Sequence, residues 1–272
     1  MKKLTNILLS LILIQLLISC GHDESDILEH TQRVTTQSTE NLNHYLKSVK
    51  KVIVEVKYEP GAEPYTDKNF RNRHYWTFLE SNLKGIYDAR EMEVELVVPK
   101  ELDDMEMLQL QEKESWTADE ILELANKASF TQRDATTGVF KVLFLKGHYK
   151  SEGTVKESVI GLNITGTEII AIFKDVVEDM GRKRDDNIAK FSEQSTLVHE
   201  IGHAIGLVNN GVTQVEPHHD SEHGAHCSNE DCVMYWKNEG AASMVDFIQK
   251  YFSSGSELMF GEKCMNDLKN YQ

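Results

Sequence analysis

The chain has 272 residues and a formal net charge of −15, from 29 Lys and Arg residues against 44 Asp and Glu residues. This acidity argues against nucleic acid or an anionic lipid surface as a partner, because like charges repel. The length is enough for a sizeable core, either in one domain of two lobes or in two small domains.

The first residues predict export from the cytoplasm. Two lysines precede an apolar run at residues 7–18 that is short for a membrane span, so residues 1–20 are expected to form a cleavable secretory signal rather than an uncleaved anchor helix. The signal ends in Leu-Ile-Ser-Cys, which resembles a bacterial lipobox. The resemblance implies that Cys20 becomes a lipidated first residue. A lipid anchor would hold the protein on the outer membrane, at the periplasmic face or on the cell surface.

Hydrophobic periodicity predicts alternating helices and strands after a flexible polar tether at residues 21–43. The predicted helices are Glu40–Lys50, Trp76–Tyr87 and Thr117–Ala128, the last of which opens with a capping-box pattern. The predicted strands are Val52–Val56, Met92–Val98, Val139–Leu145, Ser158–Ile164 and Glu168–Phe173. The charged run Lys174–Arg184 is interpreted as a solvated connection. We therefore expect a mixed sheet with helices on it, in an α+β fold whose amino-terminal lobe is of α/β type.

The next segment, residues 192–207, carries the pattern His-Glu-x-x-His-x-x-Gly. Residues four apart share one face of a helix, so His199 and His203 can bind the same metal ion. The positions around them are apolar, which predicts a buried helix in which uncoordinated imidazoles would need other partners. Glu200 projects around the helix and is the candidate general base for a water on the metal. An amphipathic helix with two ordinary polar histidines is the alternative.

A third ligand is expected from the loop that follows. A catalytic zinc ion takes three protein ligands and keeps one position for water. Four of the eleven histidines lie close together downstream of the helix, at His218, His219, His223 and His226. The loop is therefore the natural source of the missing ligand.

The cysteines allow two interpretations. In an exported protein, Cys227 and Cys232 are expected to form a disulfide, which leaves Cys264 unpaired. A zinc ion bound by three cysteines and one histidine is the alternative. A second metal ion, in addition to the catalytic zinc, is therefore the alternative to a disulfide.

These motifs together resemble the metzincin metalloproteases. The pattern H-E-x-x-H-x-x-G at residues 199–206, followed by H-C-x4-C-x-M at residues 226–234, looks most like the archaemetzincin branch. The resemblance implies a metalloprotease domain at residues 44–272, with an amino-terminal lobe (44–206) that ends in the zinc helix and a smaller carboxy-terminal lobe (207–272). It implies that His199, His203 and His226 are the zinc ligands, Glu200 the general base and Met234 the methionine of the turn. Tyr235 follows directly and is a candidate to stabilise the oxyanion, with a tyrosine that orients a ligand or packs in the core as the alternative.

The chain departs from the family pattern at two points. The usual third ligand stands three residues after the glycine, where this chain has Asn209 in a predicted turn at 208–211. His226 is favoured instead, because the cysteines and the methionine follow it in the family's order. The rival ligands, or residues that orient the ligands, are His218, His219, Asp220 and His223. The family's four-cysteine zinc site is incomplete, because only Cys264 follows the second motif.

Two more helices, Ala241–Phe252 and Glu257–Tyr271, are predicted after the methionine. The features combine into the hypothesis of a monomeric zinc endopeptidase that acts on a protein or peptide, with Glu200 activating the zinc-bound water. An extended peptide is expected to add to the sheet, with Glu168–Phe173 as the expected edge strand. The alternative is a non-proteolytic zinc-containing surface lipoprotein that acts as a binding or metal-scavenging module.

Overall fold

The computed structural model describes residues 39–69, 72–183, 185–239, 241–254, 256 and 258–272. The expected signal, its lipidated Cys20 and most of the tether lie outside these residues. Residues 39–43, which the predicted tether included, are instead helical. Leu42 is buried there because it packs against the turn at Gly206 and Gly211, so the folded chain includes this segment. Within the described ranges, no helix is both long and apolar enough to cross a membrane.

Helices and strands alternate along the first two thirds of the described chain. The helices are α1 (39–43, continued by a π-helical turn, His44–Ser48), α2 (Trp76–Ala89), α3 (Ala118–Lys127), α4 (Lys174–Lys183), α5 (Asp186–Ala204), α6 (Ala241–Ser254) and α7 (Glu262–Lys269). The strands are β1 (Lys51–Tyr58), β2 (Glu95–Val97), β3 (Glu106–Met107), β4 (Ser115–Trp116), β5 (Thr137–Leu145), β6 (His148–Ser151), β7 (Thr154–Lys156), β8 (Gly161–Asn163), β9 (Ile169–Phe173), β10 (His219–Asp220) and β11 (His226–Cys227). The predicted capping box is confirmed: Thr117 and Glu120 cap the start of α3 reciprocally.

The main sheet is mixed, as predicted. Its strand order is β2–β1–β5–β9–β8, and β3 pairs with the end of β1. The pairs formed by β1, β2, β5 and β9 are parallel, whereas β8 runs antiparallel to β9. Both β5 and β9 are nearly continuous apolar runs and are buried, as expected of parallel strands covered on both faces. The mixed α+β class is therefore confirmed.

The expected edge strand was wrong. The segment Glu168–Phe173 forms β9, which pairs with β5 on one side and β8 on the other. Because β9 follows β8 through a tight turn at Gly166, the sheet order places β8 outside it. Among the described residues, β8 pairs only with β9, so β8 has a free edge at the end of the sheet opposite β2.

The expected solvated connection is also wrong, because residues 174–183 form helix α4. Val176, Val177 and Met180 make a narrow apolar stripe that is buried in the core. Lys174 is buried as well, and its ammonium lies 2.5 Å from a carboxylate oxygen of Glu193 on α5. The segment is highly charged overall, yet it forms a short amphipathic helix that packs along α5.

Helix α5 lies at the centre of the molecule. It contacts α2, α4 and α6 as well as strands β8 and β9. Residues 191–202 are buried without interruption, so the helix is covered on every side over that length. This is the helix that carries the His-Glu-x-x-His pattern.

Candidate metal centre

Helix α5 ends where the metal motif ends. The Asp185 side chain caps its start by accepting a hydrogen bond from the Asn187 backbone N–H at 2.7 Å. Gly206 ends it with a φ of +79°, and an added Cβ there would lie 2.6 Å from Leu42 Cδ2. Asn209, which stands three residues after Gly206, lies in the turn that follows. The chain therefore leaves the helix here, and the third histidine must come from farther along.

A short hairpin returns the chain to the helix. Strands β10 and β11 pair antiparallel, with Asp220 opposite His226 and His219 opposite Cys227. The inserted loop is therefore an ordered connection whose second strand carries His226.

Three imidazoles converge at this point. Ligand nitrogens of His199, His203 and His226 all lie within 4.8 Å of one another. The Nε2 atoms of His199 and His203 are 3.0 Å apart, and the His226 ring centroid lies 5.3 Å and 5.0 Å from those of His199 and His203. His199 and His226 are buried, and His203 is half-buried. This group of side chains could hold a metal ion.

Backbone carbonyls orient two of these rings. His199 Nδ1 lies 2.7 Å from the Val233 carbonyl oxygen, and His226 Nδ1 contacts the His223 carbonyl oxygen. A carbonyl oxygen can only accept a hydrogen bond, so each Nδ1 carries the ring proton and donates the hydrogen bond. The lone pair of each ring then lies on Nε2, the tautomer that a metal ligand needs.

Glu200 follows His199 on the same buried stretch of α5 and is itself only 2% exposed. Met234 is completely buried against the helix backbone, where an added Cβ at Gly202 would overlap its sulfur. Tyr235 is half-buried and lines an open cavity of about 470 Å³ with Asn238 and other residues of the carboxy-terminal part. The methionine therefore lies under the helix that carries the histidines.

The rival residues of the loop have other partners. His223 stacks on Trp236, with ring centroids 3.8 Å apart, and its Nδ1 donates to Asp220 at 2.8 Å. The His219 ring bonds the Gly224 carbonyl oxygen at 2.6 Å. His218 is buried in a different cluster. Of the loop histidines, the structure thus brings only His226 to the helix pair.

The predicted disulfide is not formed. Cys227, Cys232 and Cys264 are all buried free thiols. The sulfurs of Cys232 and Cys264, a pair that was not predicted to bond, are 3.5 Å apart, which also exceeds the disulfide bond length of about 2 Å. Hydrogen bonds from the other two thiols lower the pKa of the Cys227 thiol. The reason for the difference is spatial: His218 and Cys264 on α7 lie beside Cys227, and Cys264 also lies beside Cys232.

Asp267 is a partner that the sequence analysis missed. It is buried on α7 and accepts a hydrogen bond from His218 Nε2 at 2.6 Å. Its position one helical turn after Cys264 is the only sequence signal, and that signal has meaning only once Cys264 is known to lie beside His218.

No family profile, curated protein or solved structure matches the chain. The geometry of the described residues therefore carries the functional argument.

Proposed function

We propose that this protein is a zinc-dependent endopeptidase in which His199, His203 and His226 hold the catalytic ion. The observation that carries the proposal is the convergence of these three imidazoles around the end of α5, with Glu200 next to the first of them. Three neutral nitrogen ligands and one open position are the donor set of hydrolytic zinc sites.

The residues fit the ion. The lone pair on His199 Nε2 lies 3.0 Å from His203 Nε2, a contact that is favourable when a proton on His203 or a shared cation lies between the two nitrogens. Tetrahedral zinc with nitrogen ligands at about 2.0–2.1 Å separates them by about 3.4 Å, which a small adjustment of either ring provides. When bound, zinc polarises a scissile carbonyl and lowers the pKa of water.

The role proposed for Glu200 is proton transfer. It stands one residue beyond His199, so its carboxylate addresses the space beside the metal rather than completing the ligand set. A carboxylate there takes a proton from the attacking water and delivers it to the leaving amine. Its burial keeps this exchange away from bulk solvent.

A peptide substrate has a natural place along β8. This strand lies beside α5, and its backbone edge opposite β9 has no strand paired to it among the described residues. An extended peptide can pair with such an edge through backbone hydrogen bonds, which bind many sequences in one register. Tyr235, in the cavity after the methionine turn, is the residue we propose to stabilise the oxyanion.

The sequence resemblance supports placing the chain with the two-lobed metzincins. The parallel sheet with one antiparallel edge strand, the helix ending at Gly206 and the buried Met234 are consistent with that fold. The signal-like residues 1–20 and Cys20 support a lipid-anchored protein of the cell envelope. The substrate class would then be protein or peptide outside the cytoplasm.

Replacement of one carboxylate tests the proposal. Glu200→Gln should retain the zinc content of the wild type and lose hydrolysis of a broad peptide library by at least about 100-fold, because the amide cannot accept the water proton. Glu222→Gln, an exposed glutamate in the inserted loop, is the matched control and should cleave at the wild-type rate. Equal rates of peptide hydrolysis for the wild type and Glu200→Gln at saturating zinc would overturn the proposal of an enzyme and favour a binding module.

A further inference from the structure

We propose that His218, Cys227, Cys232 and Cys264 bind a second zinc ion in a Cys3His centre distinct from the three-imidazole centre. The ligands come from three places in the chain: the start of the inserted hairpin, its end together with the segment before Met234, and α7. His218 belongs to the insertion itself.

The ligand atoms of His218, Cys227 and Cys264 all lie within 4.8 Å of one another, and Cys232 joins this group through Cys264. His218 Nδ1 lies 3.3 Å from Cys227 Sγ and 3.9 Å from Cys264 Sγ, and Cys264 Sγ lies 3.5 Å from Cys232 Sγ. Zinc with sulfur at about 2.3 Å and nitrogen at about 2.0 Å separates its ligand atoms by about 3.5–3.8 Å. All four side chains are buried.

Backbone N–H groups point at two of the sulfurs. The N–H of Asn229 donates to Cys227 Sγ at 3.4 Å, and that of Gly261 donates to Cys232 Sγ at 3.1 Å. Such bonds stabilise thiolates, which is the form in which cysteine binds a metal.

The histidine has the outer partner that metal-bound imidazoles have. Its Nε2–H donates to the Asp267 carboxylate, whose other oxygen accepts the Val215 backbone N–H at 2.7 Å. This leaves Nδ1 as the nitrogen with a lone pair, and Nδ1 is the atom that faces the sulfurs. A carboxylate–histidine pair of this kind fixes the ring orientation and raises the basicity of a ligand.

The second ion would also hold the first centre together. Cys227 follows His226 directly, and Cys232 precedes Val233, whose carbonyl oxygen orients His199. An ion bound to both cysteines and to α7 therefore fixes both ends of the segment that completes the catalytic group. Loss of that ion should loosen His226 without removing any catalytic residue.

Metal analysis of the full chain, purified under reducing conditions, tests the proposal independently of any hydrolysis. The wild type should bind about two zinc ions per chain, and Cys264→Ser about one. After exchange into cobalt, the wild type should show sulfur-to-metal charge-transfer absorption in the near ultraviolet, and His203→Ala should keep it. His219→Ala, the neighbour of His218, is the matched control and should keep both ions.

A conservative variant controls for the possibility that Cys264→Ser misfolds. Asp267→Asn keeps all four ligands and should weaken the second ion by about 10- to 100-fold in competition with a chelator. A wild type that binds one ion and shows no thiolate–cobalt absorption would overturn the proposal. A mass lower by two hydrogens, from a Cys232–Cys264 disulfide in metal-loaded protein, would overturn it as well. Neither outcome would affect the three-imidazole centre.

Discussion

Replacing Lys174 by methionine should destabilise the protein strongly, because it leaves a buried carboxylate without its cation. The ammonium of Lys174 lies 2.5 Å from Glu193, and the two side chains are 2% and 0% exposed. The other carboxylate oxygen accepts a hydrogen bond from the Tyr65 backbone N–H at 2.9 Å. Breaking a buried pair by removing one partner costs about 3–5 kcal/mol. We expect a loss of that size in the free energy of unfolding at pH 8, measured by urea denaturation and tryptophan fluorescence.

The pH dependence of that loss has a definite sign. Burial raises the pKa of Glu193, and the Lys174 ammonium opposes that shift. Without the ammonium, the pKa of Glu193 rises further. A carboxyl with a raised pKa in the folded state contributes stability at low pH that is lost as the pH rises through that pKa. The difference between the variant and the wild type should therefore be smaller at pH 6 than at pH 8.

A double variant provides the control. Lys174→Met combined with Glu193→Gln removes both charges and keeps an oxygen for the Tyr65 N–H. It should unfold within about 1–2 kcal/mol of the wild type, because a neutral pair avoids the desolvation of either ion. The reasoning is refuted if Lys174→Met is as stable as the wild type at pH 8, or if the double variant is as unstable as the single one.

Three further predictions concern α5 and its surroundings. Gly202→Ala should lower the free energy of unfolding, measured by urea denaturation, by about 1–3 kcal/mol, because the new Cβ overlaps the Met234 sulfur and lies 3.1 Å from a ring carbon of Phe260. Unchanged stability would contradict the packing described. Gln194→Met should raise the free energy of unfolding by about 1 kcal/mol, since the amide is fully buried and has no hydrogen-bond partner among the described residues. A lower free energy of unfolding would contradict this and indicate a water bound to the amide. His226→Ala should lower zinc binding by about one ion per chain, whereas His219→Ala should not; elemental analysis separates them, and the reverse result would exchange their roles.

Much of the fold was predictable where local pattern and burial agree. The strand around Val54 and the strand that begins near Val139 are dense in β-branched and apolar residues. The capping box of α3 needs only residues that are three apart. Helix α4 was missed because its apolar stripe is narrow and the rest is charged, and because the burial of Lys174 depends on a partner on another helix. Sheet order is likewise a property of the assembled chain, so the sequence pattern did not distinguish β8 from β9 as the edge.

The candidate metal residues divide in the same way. His199 and His203 are four apart on one helix, so their proximity follows from helix geometry alone. His226 was distinguished from its neighbours only by the order of cysteines and methionine after it. The favoured disulfide between Cys227 and Cys232 was wrong, whereas the alternative grouping of cysteines with a histidine is the one the structure shows in part. Cys264 and His218 are far apart in sequence, and no local rule brings them to one place.

The measurement that tests the central claim most directly is an anomalous-difference map from crystals of the zinc-loaded chain, with data collected on both sides of the zinc absorption edge. We predict a peak about 2.0–2.1 Å from one ring nitrogen of each of His199, His203 and His226. The absence of a peak there, or a peak bound by His219 or His223 in place of His226, would contradict the proposed catalytic centre.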